Sequence, residues 1–200
     1  MKLSFTKLHG LGNDFILFEG YYKITPENII KLCRRNYGIG ADGIIFLDVS
    51  EPSVLFFNSD GSSAKMCGNG LRCAAYYLFQ KYNENSVRMK TPAGKYELKI
   101  VGGMIEIVMN APISVKRDQN ISLFDSEYIY DHINVGNDHI VFKSKELFSR
   151  YLDAGKSIET SRIFPDGINS NFSYLKNNIL KVRTWERGAG PTLACGTGSY

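Results

Sequence analysis

The residues best suited to chemistry in this chain are two cysteines set in matching contexts. The segment Cys67-Gly-Asn-Gly in the first half of the chain returns as Cys195-Gly-Thr-Gly close to the C-terminal end. A thiolate can act as a base or a nucleophile, and the glycines that follow let the backbone approach a ligand closely. Their N–H groups can hold a carboxylate, as such loops hold other anions. Each motif therefore predicts a base placed beside a carboxylate-binding loop.

The first of these cysteines precedes a predicted helix. The residues after CGNG, LRCAAYYLFQKY, have the apolar spacing of a helix, which places Cys67 at its N-terminus. Unpaired backbone N–H groups and the positive end of the helix dipole stabilise a thiolate at that position.

Two such cysteines, one in each half of the chain, match the needs of racemisation. Inverting a stereocentre requires one group to remove a proton from one face of Cα and a second group to deliver a proton to the other face. The sequence has no pyridoxal phosphate signature, so the carbanion would be stabilised by dipoles aimed at the substrate carboxylate. We predict a cofactor-independent amino-acid racemase or epimerase that uses Cys67 and Cys195.

The composition argues against other function classes. Apolar residues make up 44% of the 200 residues, and a formal charge of +4 is spread along the chain without a long run of Lys or Arg. This pattern predicts neither a nucleic-acid nor a membrane partner. The N-terminus lacks the apolar core of a signal peptide, and no apolar stretch could span a bilayer. We expect a cytoplasmic protein with a small-molecule partner.

The remaining cysteines and histidines favour structural roles. The four cysteines lack CxxC spacing, which argues against structural zinc and a disulfide framework, and we expect Cys33 and Cys73 to be buried packing residues. Three scattered histidines do not predict a metal site. His9 and His132 are expected at the surface or in hydrogen bonds, and Ser59-Asp60-Gly61 is expected to be a turn that Asn58 could cap.

Short alternating or β-branched runs separated by glycine predict mainly strands with a few helices. The predicted strands cover residues 3–7, 15–18, 44–48, 54–57, 87–90, 96–101, 128–135, 140–142, 171–175 and 180–185. Helices are predicted from Pro26 to Gly38 with Thr25 as N-cap, after CGNG, and near Lys145–Leu152, and Gly102-Gly103 marks a hairpin. The polar segment SVKRDQN, residues 114–120, is the best candidate linker. We predict domains 1–114 and 115–200, which look alike and carry one CGxG motif each.

Six segments, in order along nearly the whole chain, resemble the diaminopimelate epimerase family. They are HGLGNDF (9–15), GIGADG (38–43), FNSDGSSAKMCGNG (57–70), GNDH (136–139), GINSNF (167–172) and ERGAGPTLACGTGS (186–199). The resemblance implies an α/β (α+β) fold of two pseudo-symmetric domains, each a curved sheet or barrel around a central helix, with the active site in the cleft between them. It implies cofactor-free interconversion of LL- and meso-diaminopimelate for lysine and peptidoglycan precursor synthesis, and suggests a homodimer.

The resemblance also assigns roles to individual residues. Cys67 and Cys195 would be one thiolate and one thiol that exchange roles with the direction of the reaction. His139 and Glu186 would help to set their protonation states. Arg187 would bind the distal carboxylate of the substrate, and Glu186 its distal ammonium. The residues implied to contact substrate are Asn13, Asn58, Gly68, Asn69, Asn137, Asn169, Glu186, Arg187, Gly196 and Thr197.

Three departures from the family pattern leave alternatives open. Asp138 stands where the pattern has proline, and Pro191 where glutamate is common. The chain ends at Tyr200, before the family's second central helix, so the resemblance implies an incomplete second domain with lower activity and stability than a full-length relative. Asp138 keeps open a racemase of the same fold acting on another amino acid, such as histidine. The implied truncation keeps open a noncatalytic amino-acid-binding protein, whereas an isomerase without paired cysteines is disfavoured.

Overall fold

The computed structural model describes residues 3–109 and 111–199. The chain divides into two compact units, Met1–Asn110 and Ala111–Tyr200, and each unit has its own sheet and its own hydrophobic core. The predicted linker at residues 114–120 is wrong, because these residues form the first part of a strand, Ser114–Leu123. Within the described residues, no helix is both long and apolar enough to cross a membrane.

Eight strands form the sheet of the first unit. They are β1 (Thr6–Gly10), β2 (Asn13–Glu19), β3 (Gly43–Asp48), β4 (Ser53–Asn58), β5 (Ser63–Ala64), β6 (Ser86–Thr91), β7 (Gly94–Val101) and β8 (Met104–Val108). The order is β1-β2-β3-β4-β6-β7-β8, and β5 pairs with β4. The predicted hairpin at Gly102-Gly103 is confirmed, since β7 and β8 pair antiparallel across it. The first predicted strand lies later than expected, at Thr6–Gly10 rather than 3–7.

The sheet of the first unit curls around one helix, α2 (Gly68–Tyr82). This helix contacts seven strands of the sheet, namely β1, β2, β3, β4, β6, β7 and β8. Its buried face carries Leu71, Ala74, Ala75 and Leu78. The two alanines let the strands approach the helix closely. The helix ends at Asn83, which adopts a left-handed backbone conformation with φ of 56°. The curved sheet around a central helix is therefore confirmed for this unit.

A second helix, α1 (Pro26–Cys33), covers the outer face of this sheet. The predicted start is confirmed, because Pro26 is the first helical residue and the Thr25 hydroxyl accepts a hydrogen bond from the Asn28 N–H. The predicted end at Gly38 is wrong. The chain leaves the helix at Arg34 and turns back, so that a Cβ on Gly38 would lie only 2.1 Å from the Lys31 carbonyl oxygen.

Six strands and two helices form the second unit. The strands are β9 (Ser114–Leu123), β10 (Ser126–Asn134), β11 (Asp138–Lys143), β12 (Asn169–Lys176), β13 (Ile179–Glu186) and β14 (Gly190–Thr192), in the order β14-β13-β12-β11-β10-β9. Strands β11 and β12 are parallel, so the chain crosses over between them through α3 (Lys145–Ser149) and α4 (Tyr151–Glu159). The single helix predicted near residues 145–152 is therefore two helices that meet at Arg150.

The two faces of this second sheet differ in chemistry. Side chains alternate along a strand, and one face packs Phe142 and Phe172 as stacked rings, 5.4 Å between centroids, in a core with residues of α3 and α4. The other face carries buried polar side chains, namely His139, Asn169, Asn171, Ser173 and Thr184. The predicted α/β fold with strand-rich halves is confirmed. The polar face of the second sheet carries several of the predicted site residues.

Gly155 in α4 gives a stability prediction. A Cβ at this position would lie 2.5 to 2.7 Å from Cδ2, Cγ and Cβ of Trp185, atoms near the backbone that cannot swing away. Although alanine is the better helix former by about 1 kcal/mol, we expect Gly155→Ala to destabilise the second unit by about 2 kcal/mol through overpacking. Chemical denaturation of both proteins measures the difference.

The matched control is Lys156→Ala, one residue further along the same helix and exposed. This change should alter stability by no more than about 0.5 kcal/mol. A Gly155→Ala protein that is as stable as the parent chain would contradict the packing argument.

Candidate active site

Cys67 is the N-cap residue of α2. Its sulfur accepts a hydrogen bond from the Gly70 N–H at 3.3 Å and lies 3.9 Å from the side-chain oxygen of Asn13, to which the S–H can donate. The 15-residue helix α2 directs the positive end of its dipole at the sulfur. The helix dipole and the Gly70 N–H stabilise negative charge on Cys67, as the sequence predicted, whereas the Asn13 oxygen stabilises the S–H form.

Asn13 is held in place by a carboxylate. Its amide nitrogen donates to Asp42 at 3.0 Å, so its oxygen is the atom turned toward Cys67. Asp42 also accepts from the guanidinium of Arg35 at 2.6 Å and from the Asp14 N–H at 3.0 Å. Sequence reasoning missed Asp42 as a support for the site, although it lies in the quoted segment GIGADG, because its link to Asn13 depends on the parallel pairing of β2 with β3.

Asp14, next in the chain to Asn13, completes this support. Its carboxylate pairs with Lys7 and with Arg35, whose guanidinium donates at 2.8 Å. Burial opposes ionisation, but the hydrogen bonds from Arg35 and Lys7 hold the pKa of Asp14 well below its usual range. The carboxylate is therefore charged, and it fixes the start of β2 against the loop that carries Asp42.

The other predicted residues of the first unit divide into two groups. Gly68 and Asn69 are buried at the start of α2, where the Asn69 oxygen accepts from Arg72 at 3.1 Å and a Cβ on Gly10 would lie 3.0 Å from the Asn69 carbonyl. The end of β1 therefore packs against the CGNG segment. Asn58 lies at the end of β4, and its amide donates to Ser62 at 2.9 Å across the Ser59-Asp60-Gly61 turn. That contact caps the turn.

Cys195 has a different environment from Cys67. It is only 5% exposed, and its sulfur lies 3.3 Å from the Thr197 hydroxyl. Burial raises the pKa of the Cys195 thiol to about 12, and the nearby Glu186 carboxylate shifts it in the same direction, while Thr197 and the Gly198 N–H oppose the shift. The residues that follow, Thr197–Ser199, form one 3-10 turn. At neutral pH Cys195 is therefore a protonated thiol.

Glu186 lies at the end of β13 and is oriented by the next hairpin. The Thr192 hydroxyl donates to its carboxylate at 2.7 Å, and Glu186 pairs with Gly190 across the turn between β13 and β14. The carboxylate also makes a side-chain hydrogen bond with Cys195. The structure thus brings together Glu186, Cys195 and Thr197, and Gly196 lies between the last two in the chain.

The four thiols should differ in reactivity. Cys67 is half-buried, whereas Cys33, Cys73 and Cys195 are at most 5% exposed, and burial raises their pKa values to about 11, 12 and 12. We expect iodoacetamide at neutral pH to alkylate Cys67 first, because the thiolate is the reactive form. Peptide mass spectrometry after a timed reaction measures the order.

A Cys67→Ser chain is the control for this labelling, and it should lose nearly all of the fast modification. Labelling of Cys195 as fast as Cys67 in the native protein would contradict the expected order of reactivity.

Asn169 and Arg187 form a second group on the polar face of the second sheet. The Asn169 amide donates to the Asp138 carbonyl at 2.8 Å, and its oxygen accepts the Arg187 N–H at 3.1 Å. The Arg187 guanidinium donates to the Asp166 carbonyl at 3.2 Å, and its side chain lies over Gly167, where a Cβ would be 2.8 Å away. Gly167 therefore makes room for the arginine that the sequence analysis assigns to a substrate carboxylate.

Asp138 lies beside this group, and its carboxylate is held by the neighbouring strand while the charge of Arg187 also acts on it. Its carboxylate accepts from His132 at 2.9 Å and from the Asn134 amide at 2.9 Å, both residues of the neighbouring strand β10. Burial opposes the shift, but the hydrogen bonds from His132 and Asn134 lower the pKa of Asp138. The carboxylate that replaces the family's proline is therefore engaged in a cross-strand contact.

His139 is buried on the same polar face, at 2% exposure. Its Nε2 lies 3.2 Å from the side-chain oxygen of Asn137, and its Nδ1 lies 3.1 Å from the amide nitrogen of Asn171. Burial lowers the pKa of His139 to about 4, with the nearby Asp138 acting in the opposite direction. His139 is therefore a neutral imidazole at neutral pH, and Asn171 and Thr184 are buried polar residues beside it that sequence reasoning did not select.

The described part of the chain, residues 3–109 and 111–199, contains no group of three or more His, Cys, Asp or Glu side chains arranged to hold a metal ion.

Comparison with known proteins establishes the family. A sequence profile for diaminopimelate epimerase matches residues 5–115. A diaminopimelate epimerase of Trichodesmium erythraeum is 35% identical over 226 aligned positions, which cover 100% of this chain and 81% of the relative. One from Caldanaerobacter subterraneus is 38% identical, with 98% and 81% covered. The chain belongs to the diaminopimelate epimerase family.

Solved structures support the same fold for this family member. A hydroxyproline epimerase from Agrobacterium vitis superposes with a TM-score of 0.77 at 15% identity, covering 98% of this chain and 73% of the other. A phenazine biosynthesis protein of the PhzF family from Bacillus anthracis gives a TM-score of 0.66 at 15% identity, covering 100% and 78%. At such low identity these structures establish a shared fold, and the family predicted from the sequence is confirmed by the diaminopimelate epimerase relatives.

Proposed function

We propose that this chain interconverts LL- and meso-diaminopimelate without a cofactor, by moving the Cα proton between Cys67 and Cys195. The observation that carries the mechanism is the contrast between the two cysteines. Cys67 caps a 15-residue helix, which stabilises a thiolate, whereas Cys195 is a buried thiol beside the Glu186 carboxylate. A two-base reaction needs one base and one acid at the start, and these two environments supply them.

The proton inventory of this mechanism balances. The Cys67 thiolate removes the Cα proton and becomes a thiol, the electron pair passes into the substrate carboxylate as an enediolate, and the Cys195 S–H delivers a proton to the opposite face. Cys195 ends as the thiolate. N–H groups at the start of α2, next to Cys67, are preorganised to stabilise negative charge that develops on the carboxylate.

The surroundings of Cys195 suit a thiolate that forms briefly and is then protonated again. The Gly198 N–H and the Thr197 hydroxyl stabilise negative charge on the sulfur, whereas the Glu186 carboxylate and burial disfavour it. A Cys195 thiolate can therefore form during turnover, and reprotonation of its sulfur is favoured once the product has formed. This balance lets the same pair of sulfurs work in both directions of an epimerisation.

The distal end of diaminopimelate carries a second carboxylate and a second ammonium group. We assign the carboxylate to Arg187, supported by Asn169, because a charge-assisted arginine contact suits a carboxylate. The alternative of a racemase acting on histidine depended on Asp138. The Asp138 side chain is held by His132 and Asn134, and the charge of Arg187 also acts on it, so a panel of substrates is needed to test this alternative. The family relationship supports diaminopimelate.

The test is exchange of the Cα proton for solvent deuterium, followed by NMR on LL-diaminopimelate, L-histidine and further L-amino acids. We expect exchange with diaminopimelate and none with the other substrates. Exchange only with another amino acid would support the two-thiol mechanism but refute diaminopimelate as the substrate. Absence of exchange with every substrate would overturn the proposed activity and favour an amino-acid-binding role.

A small-molecule amino acid is the partner that this proposal requires. A homodimer and a cytoplasmic location stay predictions. Light scattering coupled to size-exclusion chromatography tests the first, and fractionation of the producing cell tests the second.

A further inference from the structure

Asn171 is a fully buried asparagine at the centre of the polar face of the second sheet, at 0% exposure. It belongs to strand β12, and the next residue, Phe172, points to the apolar core on the other face of the sheet. A buried carboxamide is costly unless its donors and acceptors are paired. The partners that pair it therefore determine what it does.

The orientation of this carboxamide is fixed by the backbone. Its nitrogen lies 3.3 Å from the Ile140 carbonyl oxygen, which can only accept a hydrogen bond. The atom facing that carbonyl must therefore be the NH₂ group. Its oxygen accepts the Thr184 hydroxyl at 3.0 Å, so both ends of the carboxamide are consistent with one orientation.

This orientation determines the tautomer of His139. The Asn171 NH₂ group is also 3.1 Å from His139 Nδ1, so Nδ1 must be the acceptor and carry no proton. A neutral imidazole has one N–H, which is then on Nε2. That N–H donates to the side-chain oxygen of Asn137 at 3.2 Å.

The relay ends on Asn137. Because the Asn137 oxygen accepts from His139, its NH₂ group is the end left to donate to a ligand, and Asn137 is only half-buried. A hydrogen-bond donor at that place suits a carboxylate or carbonyl oxygen of a bound amino acid. The direction of the whole relay follows from one backbone carbonyl in β11.

Asn171 also touches the loop of the second cysteine. A Cβ on Gly198 would lie 2.2 Å from the Asn171 oxygen, so the CGTG segment is packed directly on this carboxamide. Substituting Asn171 can therefore affect both the imidazole relay and the loop that holds Cys195.

We propose that Asn171 is a positioning residue that fixes His139 as the Nε2–H tautomer and thereby presents the Asn137 amide as a donor to substrate. The catalytic consequence rests on the proposed epimerase function, whereas the tautomer itself does not. Asn171 acts through His139 and Asn137 and is not assigned any contact with substrate.

The first experiment reads the tautomer directly in the full chain without substrate. The imidazole nitrogens are followed by 15N NMR after labelling of histidine, and the His9→Gln and His132→Gln spectra assign the signals of His139. We expect a pyridine-like Nδ1 and a pyrrole-like Nε2 at neutral pH. A protonated Nδ1 in the parent chain would overturn the proposal, whatever the activity.

The second experiment reverses the polarity with Asn171→Asp. A carboxylate can only accept, so it should draw the proton to Nδ1 and reverse the relay. We expect kcat/KM for diaminopimelate to fall by about 10- to 100-fold, with a rise in KM, because a misplaced binding group weakens substrate positioning. An unchanged His139 tautomer together with unchanged kcat/KM would overturn the proposal.

Ser173→Ala is the matched control. Ser173 lies two positions along the same strand and is also buried. Its hydroxyl donates to the Phe142 carbonyl at 3.0 Å, so it too is bonded to a β11 carbonyl, but among the described residues it has no hydrogen bond with the histidine. It should change neither the tautomer nor KM. If Asn171→Asp does not fold, Thr184→Val removes the hydroxyl that pairs the Asn171 oxygen. That variant should partly mix the His139 tautomers, and a pure parent tautomer would count against the relay.

Discussion

Cys67→Ser and Cys195→Ser should each slow the interconversion of LL- and meso-diaminopimelate by about 10²- to 10⁴-fold, the range that a positioned acid or base contributes. Serine keeps the size of the side chain but is a far weaker acid than a thiol. At Cys67 it also keeps an N-cap acceptor for α2, so the fold of the first unit should be preserved. Chiral chromatography of the product mixture measures the rate.

The matched controls are Cys33→Ala and Cys73→Ala. Both residues are buried at 3% exposure in hydrophobic clusters, and burial raises the pKa values of both thiols. Neither substitution should therefore lower the turnover rate per folded molecule. Full activity in either catalytic variant, or loss of activity in a well-folded Cys73→Ala chain, would refute the two-thiol mechanism.

The second large effect concerns stability in acid. His139 has its pKa lowered from 6.5 to about 4 by burial, so between these values the unfolded chain binds a proton that the folded chain does not. The free energy of unfolding should therefore decrease as the pH falls from 6.5 to 4, by about 3 kcal/mol from this residue alone. Denaturation by urea at a series of pH values measures the slope.

Replacing His139 by glutamine should remove this part of the pH dependence, even though it also weakens the fold at neutral pH. His9→Gln is the control, because His9 is an exposed residue of β1 whose Nδ1 accepts the Gly12 N–H of the following turn. The slope should persist in the His9 variant. Equal slopes in the parent chain and in His139→Gln would show that folding does not lower the pKa of His139.

The first unit was largely predictable because its signals are local. Pro26 after Thr25 marks a helix start, and the apolar run after CGNG marks the central helix α2, and both are found. The end of α1 was not predictable from this run of residues, because the helical pattern continues past Cys33. The chain leaves the helix at Arg34 and brings Gly38 close to the Lys31 carbonyl, an approach that the residue pattern does not reveal.

The second unit was harder to predict where strands are exposed. Ser114–Leu123 has the polar composition of a linker because most of its first half faces solvent, and its strand character comes from pairing with β10. The register of β9 against β10 shifts between Tyr130 and His132. At this irregularity Asp118 has a φ of 54°, and its N–H donates a hydrogen bond to the Asp131 carboxylate. The hairpin depends on the turn at Phe124-Asp125, where both residues have positive φ, and neither residue type marks such a turn clearly, so composition alone suggested a loop.

The candidate site shows the same division. The two CGxG motifs revealed the cysteines, because a repeated chemical residue among glycines is visible without a fold. Asn171 was overlooked although Asn169 and Asn171 alternate in GINSNF, a spacing that places both on one face of a strand. What the sequence could not tell was that this face is buried against the Cys195 loop and carries His139. Those contacts exist only once β11 and β12 pair.

Cys67 has a structural role and a proposed chemical role, and inhibitor binding at its sulfur affects both. Its sulfur accepts the Gly70 N–H as the helix N-cap, and the same sulfur is the proposed base that removes the Cα proton. A reagent that forms a covalent adduct there weakens the cap, which is worth about 1 kcal/mol in typical helices. In a thermal-shift screen, a noncovalent ligand would raise the melting temperature whereas a covalent adduct of equal potency could leave it unchanged. Hits of the second kind would be discarded by such a screen unless activity is measured alongside.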